Sequence, residues 1–414
     1  MGTTGRTALL IHSRDLTSPF GSTLAYYVSR SLAAEDTVHV LCRRRPSGDE
    51  HPDGPDDPVY HVLDTGELPV VSGLLYVLLS TVYAVGLALR IRFDVVNSYK
   101  SEIPQAWLAA RVGGSRLVVT LQAVPVRQAR DLASESGTGG SLLAGVGSQL
   151  RRGYAWLVGR LLARADAVVC LTEGIRVVTE RQYGIDLPDA AVIPMGVDTD
   201  RFRTADAARG ERDPDEPWRL LYVGTVHLTR GLDSVFEVVA DSEFDLELHV
   251  AGSGPESHVR ELRSQARELG INDRLVWHGF VPHEEIPELL ADTDVALSPL
   301  ADIESYRISF PAKLLEYLAA GCLVVATDID PHRRLIDDGV NGYLHDPGSE
   351  GIRAGLSRCL GDADRHASVR EAARETALEY DWAEVTAAHE RVLWPGDERR
   401  ATREPSPGTA PTSE

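Results

Sequence analysis

At 414 residues the chain is too long for one ordinary hydrophobic core, and two domains are expected. Its composition, 43% apolar and 25% charged, is that of a globular protein and excludes a disordered or fibrous one. The net charge of −20 argues against a nucleic-acid partner and is unevenly placed: residues 90–164 hold 11 basic and 4 acidic side chains, whereas 197–414 hold 23 and 43.

The elements begin with a strand in "TALLIHS" (7–13), a loop, a helix over 24–34 and a second strand over 37–43. A polar stretch rich in Pro, Gly and Asp follows and reads as a loop. Residues 70–89 are 20 in a row without a charge. That length suits a bilayer span, but serines, a threonine and tyrosines dilute it, and it stands where a crossover helix is needed. A buried or membrane-facing helix is the better reading. Further strands are expected at 94–99, 117–121, 165–172 and 190–194, with a basic amphipathic helix over 148–165 and another helix from Glu173. Strands alternating with helices predict a parallel, doubly wound sheet.

The alternation restarts after the polar linker 203–217. The predicted domains are therefore 1–202 and 218–380, each α/β and Rossmann-like, with a helix at 381–395 and a disordered tail at 396–414. Two such halves imply a cleft, with ligands beyond the carboxyl ends of the strands. Cys42, Cys170, Cys322 and Cys359 are too scattered for a zinc site or a disulfide framework and fit a reducing cytoplasm. The opening residues run straight into a strand-like stretch rather than a secretory leader, which points the same way.

Chemistry concentrates in "RISFPAKLLEYLAAGCLVVATDID" (307–330). The chain has 40 arginines and two lysines, and one lysine, Lys313, stands here three residues before Glu316, on the same helical face. Pro311 marks the first turn. A cation near a helix N-terminus suits a phosphate, and a carboxylate beside it suits a ribose diol. Taken by spacing alone, an ordinary i, i+3 ion pair on a solvated helix is the stronger reading.

Four blocks in order shift that balance: residues 165–202, 220–239, 248–256 and 310–329. Together they resemble glycosyltransferase family 4, enzymes of the GT-B fold with two Rossmann-like domains and a C-terminal helix crossing back to the first. The resemblance implies a retaining transferase that uses a nucleotide sugar, with no cofactor and no metal ion. It implies an acceptor that is a glycan or is lipid-linked, in surface polysaccharide or glycoprotein glycan assembly. It places Glu316 on the donor ribose and Arg230 on the diphosphate, with Gly231 and Gly21 allowing close backbone approach and Gly279 and Phe280 near the base. Lys313 supplies further positive charge, Arg307 and Ser309 lie near the phosphates, and Gln122 faces the acceptor, with His12 a second candidate there and Asp15 and Glu102 weaker ones.

The sequence also departs from the family pattern. Ile308 stands where the first of two paired glutamates is usual, Thr225 where a phosphate-loop arginine is usual, and Gln122 where a histidine is common. Ser309, Pro311, Lys313, Leu314, Glu316 and Tyr317 instead fit a subgroup with an S-x-P-x-K-L-x-E-Y motif. These departures keep a catalytically weak or non-enzymatic binding subunit as an alternative. A nucleotide-sugar epimerase lacks the acid/base set it needs. A dehydrogenase is disfavoured, because "GSGPES" lacks a third glycine and falls in the second domain. The arginines of 148–165 among Leu, Trp and Tyr raise the expectation of peripheral contact with an anionic membrane surface.

Overall fold

A computed structural model describes residues 5–16, 23–43, 57–65, 69–99, 102–124, 141–203 and 216–396; side chains are described outside 69–74 and 141–151 and from residue 24 in the first helix. The chain forms two compact units. One comprises Met1–Pro194 and takes in the chain from Val385; the other comprises Met195–Glu384.

The first unit is a seven-stranded parallel sheet in the order β3-β2-β1-β4-β5-β6-β7. Its strands are β1 (Thr7–Ile11), β2 (Thr37–Arg43), β3 (Val59–Leu63), β4 (Val95–Tyr99), β5 (Arg116–Leu121), β6 (Ala167–Cys170) and β7 (Ala191–Val192). The central strands are almost continuously buried, as a sheet covered on both faces requires. Helix α1 (Thr23–Ala33) joins β1 to β2. Helices α2 (Pro69–Arg90), α3 (Ile103–Gly113), α4 (Ser141–Leu162) and α5 (Glu173–Tyr183) join strands in the opposite direction across the sheet. With right-handed crossovers they share the face opposite α1. The uncharged stretch is therefore a crossover helix, α2, which buries Tyr76, Ser80, Ala84, Leu87 and Ala88. Among the described residues, no helix is long and apolar enough to cross a membrane.

The second unit is a six-stranded parallel sheet, β10-β9-β8-β11-β12-β13. Its strands are β8 (Trp218–Val223), β9 (Leu246–Ala251), β10 (Leu275–Gly279), β11 (Val295–Ser298), β12 (Leu323–Thr327) and β13 (Tyr343–His345). Helices α6 (Leu232–Ala240), α7 (Glu256–Glu268), α8 (Ile286–Ala291), α9 (Ala312–Ala319), α10 (Ser349–Gly361) and α11 (His366–Leu378) cover it. Phe202 and Val197 are buried in the core shared with Tyr317 and Leu318, and Val197 bridges Asp381, so the chain from Met195 packs with the second unit. The final helix, α12 (Trp382–Leu393), begins in this unit and continues in the first. There Ser31 donates to Glu390 at 2.8 Å, and the Arg6 guanidinium lies 5.1 Å from the Trp394 ring centroid.

The fold is thus the expected pair of Rossmann-like sheets. Two strands, β3 and β13, escape the sequence reading. The first follows a proline-rich stretch and is a half-buried edge; the second has only three residues. All four cysteines are buried and free.

Candidate functional site

In the second sheet the strand order reverses between β8 and β11, which are neighbours whose onward connections run in opposite directions. A doubly wound sheet opens a crevice at the carboxyl ends of such a pair. Two segments emerge there: residues 224–231 after β8, and residues 299–311 after β11.

The loop after β8 is pressed against its neighbours. Gly224 N–H donates to the Ala251 carbonyl at 2.8 Å and Val226 N–H to the Ser253 carbonyl at 2.9 Å. A Cβ at Gly252 would stand 1.7 Å from the Gly224 oxygen. The glycines of "GSGPES" are therefore needed for backbone-to-backbone contact. The loop then makes a 3₁₀ turn, Leu228–Arg230, and reverses into α6 through Gly231. Gly231 has φ 73°, and a Cβ there would lie 1.9 Å from the Pro299 carbonyl oxygen. Only glycine brings the two segments this close.

Arg230 leaves this turn with its guanidinium 4.7 Å from the ring centroid of Tyr306, within cation–π range. Tyr306 is held in turn by its hydroxyl, 2.8 Å from Thr229 Oγ1, which is 2.9 Å from His227 Nδ1. His227 Nδ1 also accepts from Thr229 N–H at 3.2 Å, so this nitrogen is unprotonated. The Thr229 hydroxyl donates to it and the Tyr306 hydroxyl donates to Thr229. A directed chain of hydrogen bonds thus pins the ring on which Arg230 rests.

Lys313 and Glu316 stand on α9, the helix that follows the second segment. Pro311 is its N-cap rather than its first helical residue, one position ahead of expectation. Solvent reaches the Lys313 side chain, yet the surrounding protein withdraws enough water to hold its ammonium below an ordinary lysine. Glu316 acts against that shift and the nearby Arg230 guanidinium adds to it. Glu316 does not turn to Lys313; its Oε1 lies 3.0 Å from His283 Nε2, with both groups partly buried. Tyr317, next in the sequence, is wholly structural: its buried hydroxyl accepts from Val223 N–H at 2.9 Å and ties α9 to the end of β8.

Arg307 and Ser309 follow Tyr306 in the segment after β11. Arg307 is exposed and paired with Asp302 through two contacts of 2.5 and 2.6 Å, so its charge already has a partner. Ser309 donates to the Tyr306 carbonyl at 2.9 Å, which shapes the turn before Pro311. Gly279, at φ 70°, and Phe280, 55% exposed, end β10 on the same carboxyl edge. Thr225 is exposed and Ile308 half-buried.

In the first unit, Gln122 follows β5 directly, and its Nε2 is buried without a hydrogen-bond partner among the described residues. His12 follows β1; it is fully buried, its Nδ1 accepts from Arg14 N–H at 2.9 Å, and its carbonyl accepts from Tyr76. Asp15 is half-buried and Glu102 buried. Gly21 lies outside the described residues.

Sequence reasoning missed Tyr306, Thr229, His227 and His283. Tyr306 stands beside the arginine that drew attention by its charge. His283 opens a 3₁₀ turn and precedes two glutamates, with no spacing that sets it apart. His332 was also missed: buried beneath the crevice, it lies 2.7 Å from the Thr327 carbonyl and 3.1 Å from Ser298 Oγ. Burial pushes it down to about 4, with the Thr327 hydrogen bond opposing, so it is neutral. No group of three or more potential metal ligands occurs among the described residues.

Comparison with known proteins agrees with this architecture. Residues 21–201 match the model described as Glycosyltransferase Family 4, and residues 205–376 match Glycosyl transferases group 1. The chain is similar to a D-inositol 3-phosphate glycosyltransferase of Xylanimonas cellulosilytica, 31% identical over 59% of this chain and 60% of the relative. It is also similar to a phosphatidyl-myo-inositol mannosyltransferase of Mycolicibacterium smegmatis, 33% identical over 49% of this chain and 51% of the relative. The matched region thus spans between half and three-fifths of these relatives. Among solved structures, Anabaena HepE in complex with UDP and glucose superposes with a TM-score of 0.70 at 16% identity, covering 94% of this chain and 99% of that one. Sucrose-phosphate synthase of Thermosynechococcus elongatus does so at 0.71 and 17%, covering 94% and 98%. Fold and site define a two-domain protein of the GT-B class. Glycosyltransferase models match both halves of the chain, one over residues 21–201 and the other over 205–376.

Proposed function

We propose that the protein transfers a sugar from a nucleoside-diphosphate sugar to a hydroxyl of a glycan or lipid-linked acceptor, with retention of anomeric configuration. One observation carries this reading: Arg230, Lys313 and Glu316 gather where the second sheet reverses its strand order. Two cations suit a diphosphate, and a carboxylate one turn further along α9 suits a diol. The names of the relatives, which act on an inositol phosphate and a phosphatidylinositol, support a lipid or glycan acceptor. The structural neighbour bound to UDP and glucose supports a nucleotide-sugar donor.

In this reading the bond between the anomeric carbon and the diphosphate oxygen breaks as the acceptor oxygen bonds the same carbon from the same face. The acceptor proton leaves on the diphosphate. Arg230 and Lys313 stabilise the charge that grows on the leaving group, and the ring of Tyr306 fixes the guanidinium in advance. Since both cations come from the protein, activity should survive excess chelator. The donor is found by thermal shift with a panel of nucleotide sugars. A stabilising donor that is also slowly hydrolysed to free sugar supports the proposal. A panel in which no nucleotide sugar stabilises the protein overturns it.

Thr225 and Ile308, which leave the site one cation and one carboxylate short of the usual family set, favour a second reading as a donor-binding subunit without turnover. That reading expects stabilisation by a donor and no hydrolysis.

A further inference from the structure

The first unit carries a surface that the transferase chemistry does not use. On α2 the side chains of Leu75, Leu78, Leu79, Val82 and Leu89 are all exposed, at 37, 62, 36, 65 and 72%. Their spacing of three, four and seven residues places them on one stripe along the helix. The opposite side of α2 is the buried one described above, so the helix is apolar on both sides. The layer continues sideways, because α3 packs against α2 and α4 against α3. There Leu108 and Val112 on α3, and Trp156 and Leu157 on α4, are exposed as well. Soluble proteins rarely expose apolar residues in so continuous an array.

The charge around the stripe indicates what covers it. Arg90 ends α2 and Arg92 follows it, Arg111 stands on α3, and Arg152, Arg160 and Arg164 lie on or just after α4; all six are exposed. No carboxylate pairs with any of them among the described residues. Arg160 rests 5.5 Å from the Trp156 ring centroid, which joins an aromatic side chain to a cation at the edge of the apolar area. The chain as a whole is at −20, so this local excess of arginine runs against the protein's own charge.

We infer that the outer face of the α2–α3–α4 layer is a docking surface for an anionic lipid bilayer. The α2 stripe enters the acyl boundary, Trp156 sits at headgroup depth, and the arginines meet lipid phosphates. A covering protein would need matching acidic chemistry, and a second copy would bring six arginines against six. A bilayer bearing negative headgroups satisfies both the apolar stripe and its basic rim.

Flotation of the full chain with vesicles tests this. Binding to phosphatidylcholine vesicles containing phosphatidylglycerol is expected, with little binding to phosphatidylcholine alone. Each arginine removed should lower partitioning about fivefold at low salt. The triple variant Arg111→Gln/Arg160→Gln/Arg164→Gln should therefore lose about a hundredfold. Leu78→Ser/Val82→Ser, which alters only exposed positions, should abolish flotation while leaving the thermal unfolding profile in place. Glu316→Ala should still float, so failure of the donor-site reading and failure of this one are distinguishable. No flotation with anionic vesicles overturns the inference, as does flotation that ignores both sets of variants. A dimer in light scattering that Leu78→Ser/Val82→Ser dissociates overturns it in favour of a second copy.

Discussion

Replacing Gly231 with alanine isolates how closely the loop after β8 must approach the segment after β11. Two costs add. A non-glycine residue at φ 73° pays about 1–2 kcal/mol for the left-handed backbone. The new methyl would also meet the Pro299 carbonyl oxygen at 1.9 Å, and backbone must yield by more than 1 Å because neither atom belongs to a flexible side chain. Overpacking of that kind costs about 1–3 kcal/mol, which makes the sum roughly 2–5 kcal/mol. Gly270 provides the control. It lies in the same unit at φ 68°, with nothing within 4 Å of its added Cβ, so it pays only the backbone cost, partly offset by a stiffer unfolded chain. At about 2–4 °C per kcal/mol for a unit of this size, Gly231→Ala should melt several degrees below Gly270→Ala. Calorimetry measures both melting temperatures. Gly231→Ala should also lose nucleoside-diphosphate binding, whereas Gly270→Ala should keep it. Equal melting and equal binding in the two variants would refute the close-approach account.

Arg230→Ala and Tyr306→Leu should each weaken donor binding, by roughly tenfold or more and by roughly threefold respectively. Because the ring acts through the guanidinium, titration calorimetry should find the double variant no worse than Arg230→Ala; independent losses would show that Tyr306 does something else. Glu316→Gln removes a charged acceptor worth about 1.5–3 kcal/mol, which predicts a 10–100-fold loss of nucleotide-sugar affinity and a much smaller loss for a ligand that lacks the ribose. Lys313 must carry its proton to meet phosphate, and desolvation by the surrounding protein lowers its pKa from 10.5, so donor affinity should fall on the alkaline side below that value. Lys313→Arg should carry the fall to higher pH, and an unmoved profile would exclude the lysine.

His332 and His389, both fully buried and pushed down to about 4, contribute to acid stability. Above pH 6.5 they are neutral in both folded and unfolded chains, and their full contribution is present. Between 6.5 and about 4 only the unfolded chain takes up protons, so stability falls as pH falls, by about 2 kcal/mol per histidine at pH 5. Urea midpoints for both units should therefore drop between pH 7 and pH 5, and constant midpoints would contradict the buried neutral state.

The parallel sheets were legible because each central strand is a short apolar run between helical stretches, as in "TALLI" and "LVVAT". Lys313 and Glu316 were legible through rarity, spacing and family resemblance. The partners of these residues were not. Tyr306 supports Arg230 from 76 positions away, and His283 engages Glu316 from 33 positions earlier, so the contacts exist only once the sheet has brought loop ends together. Arg307 shows the reverse: its charge marked it, but Asp302, five residues back, claims it. A local ion pair of that kind competes with any ligand, and sequence spacing does not tell which wins.

Helix α12 has a bearing on how the protein is made. Leu393, Trp394 and His389 are buried, and Ser31 and Arg6 close on this segment from the opening residues of the chain. During synthesis the amino-terminal half emerges first and must wait, with the seat of that helix uncovered, until the entire second half has been translated. Slow or interrupted elongation after residue 200 would leave that seat exposed, and a chaperone that protects nascent chains would engage there.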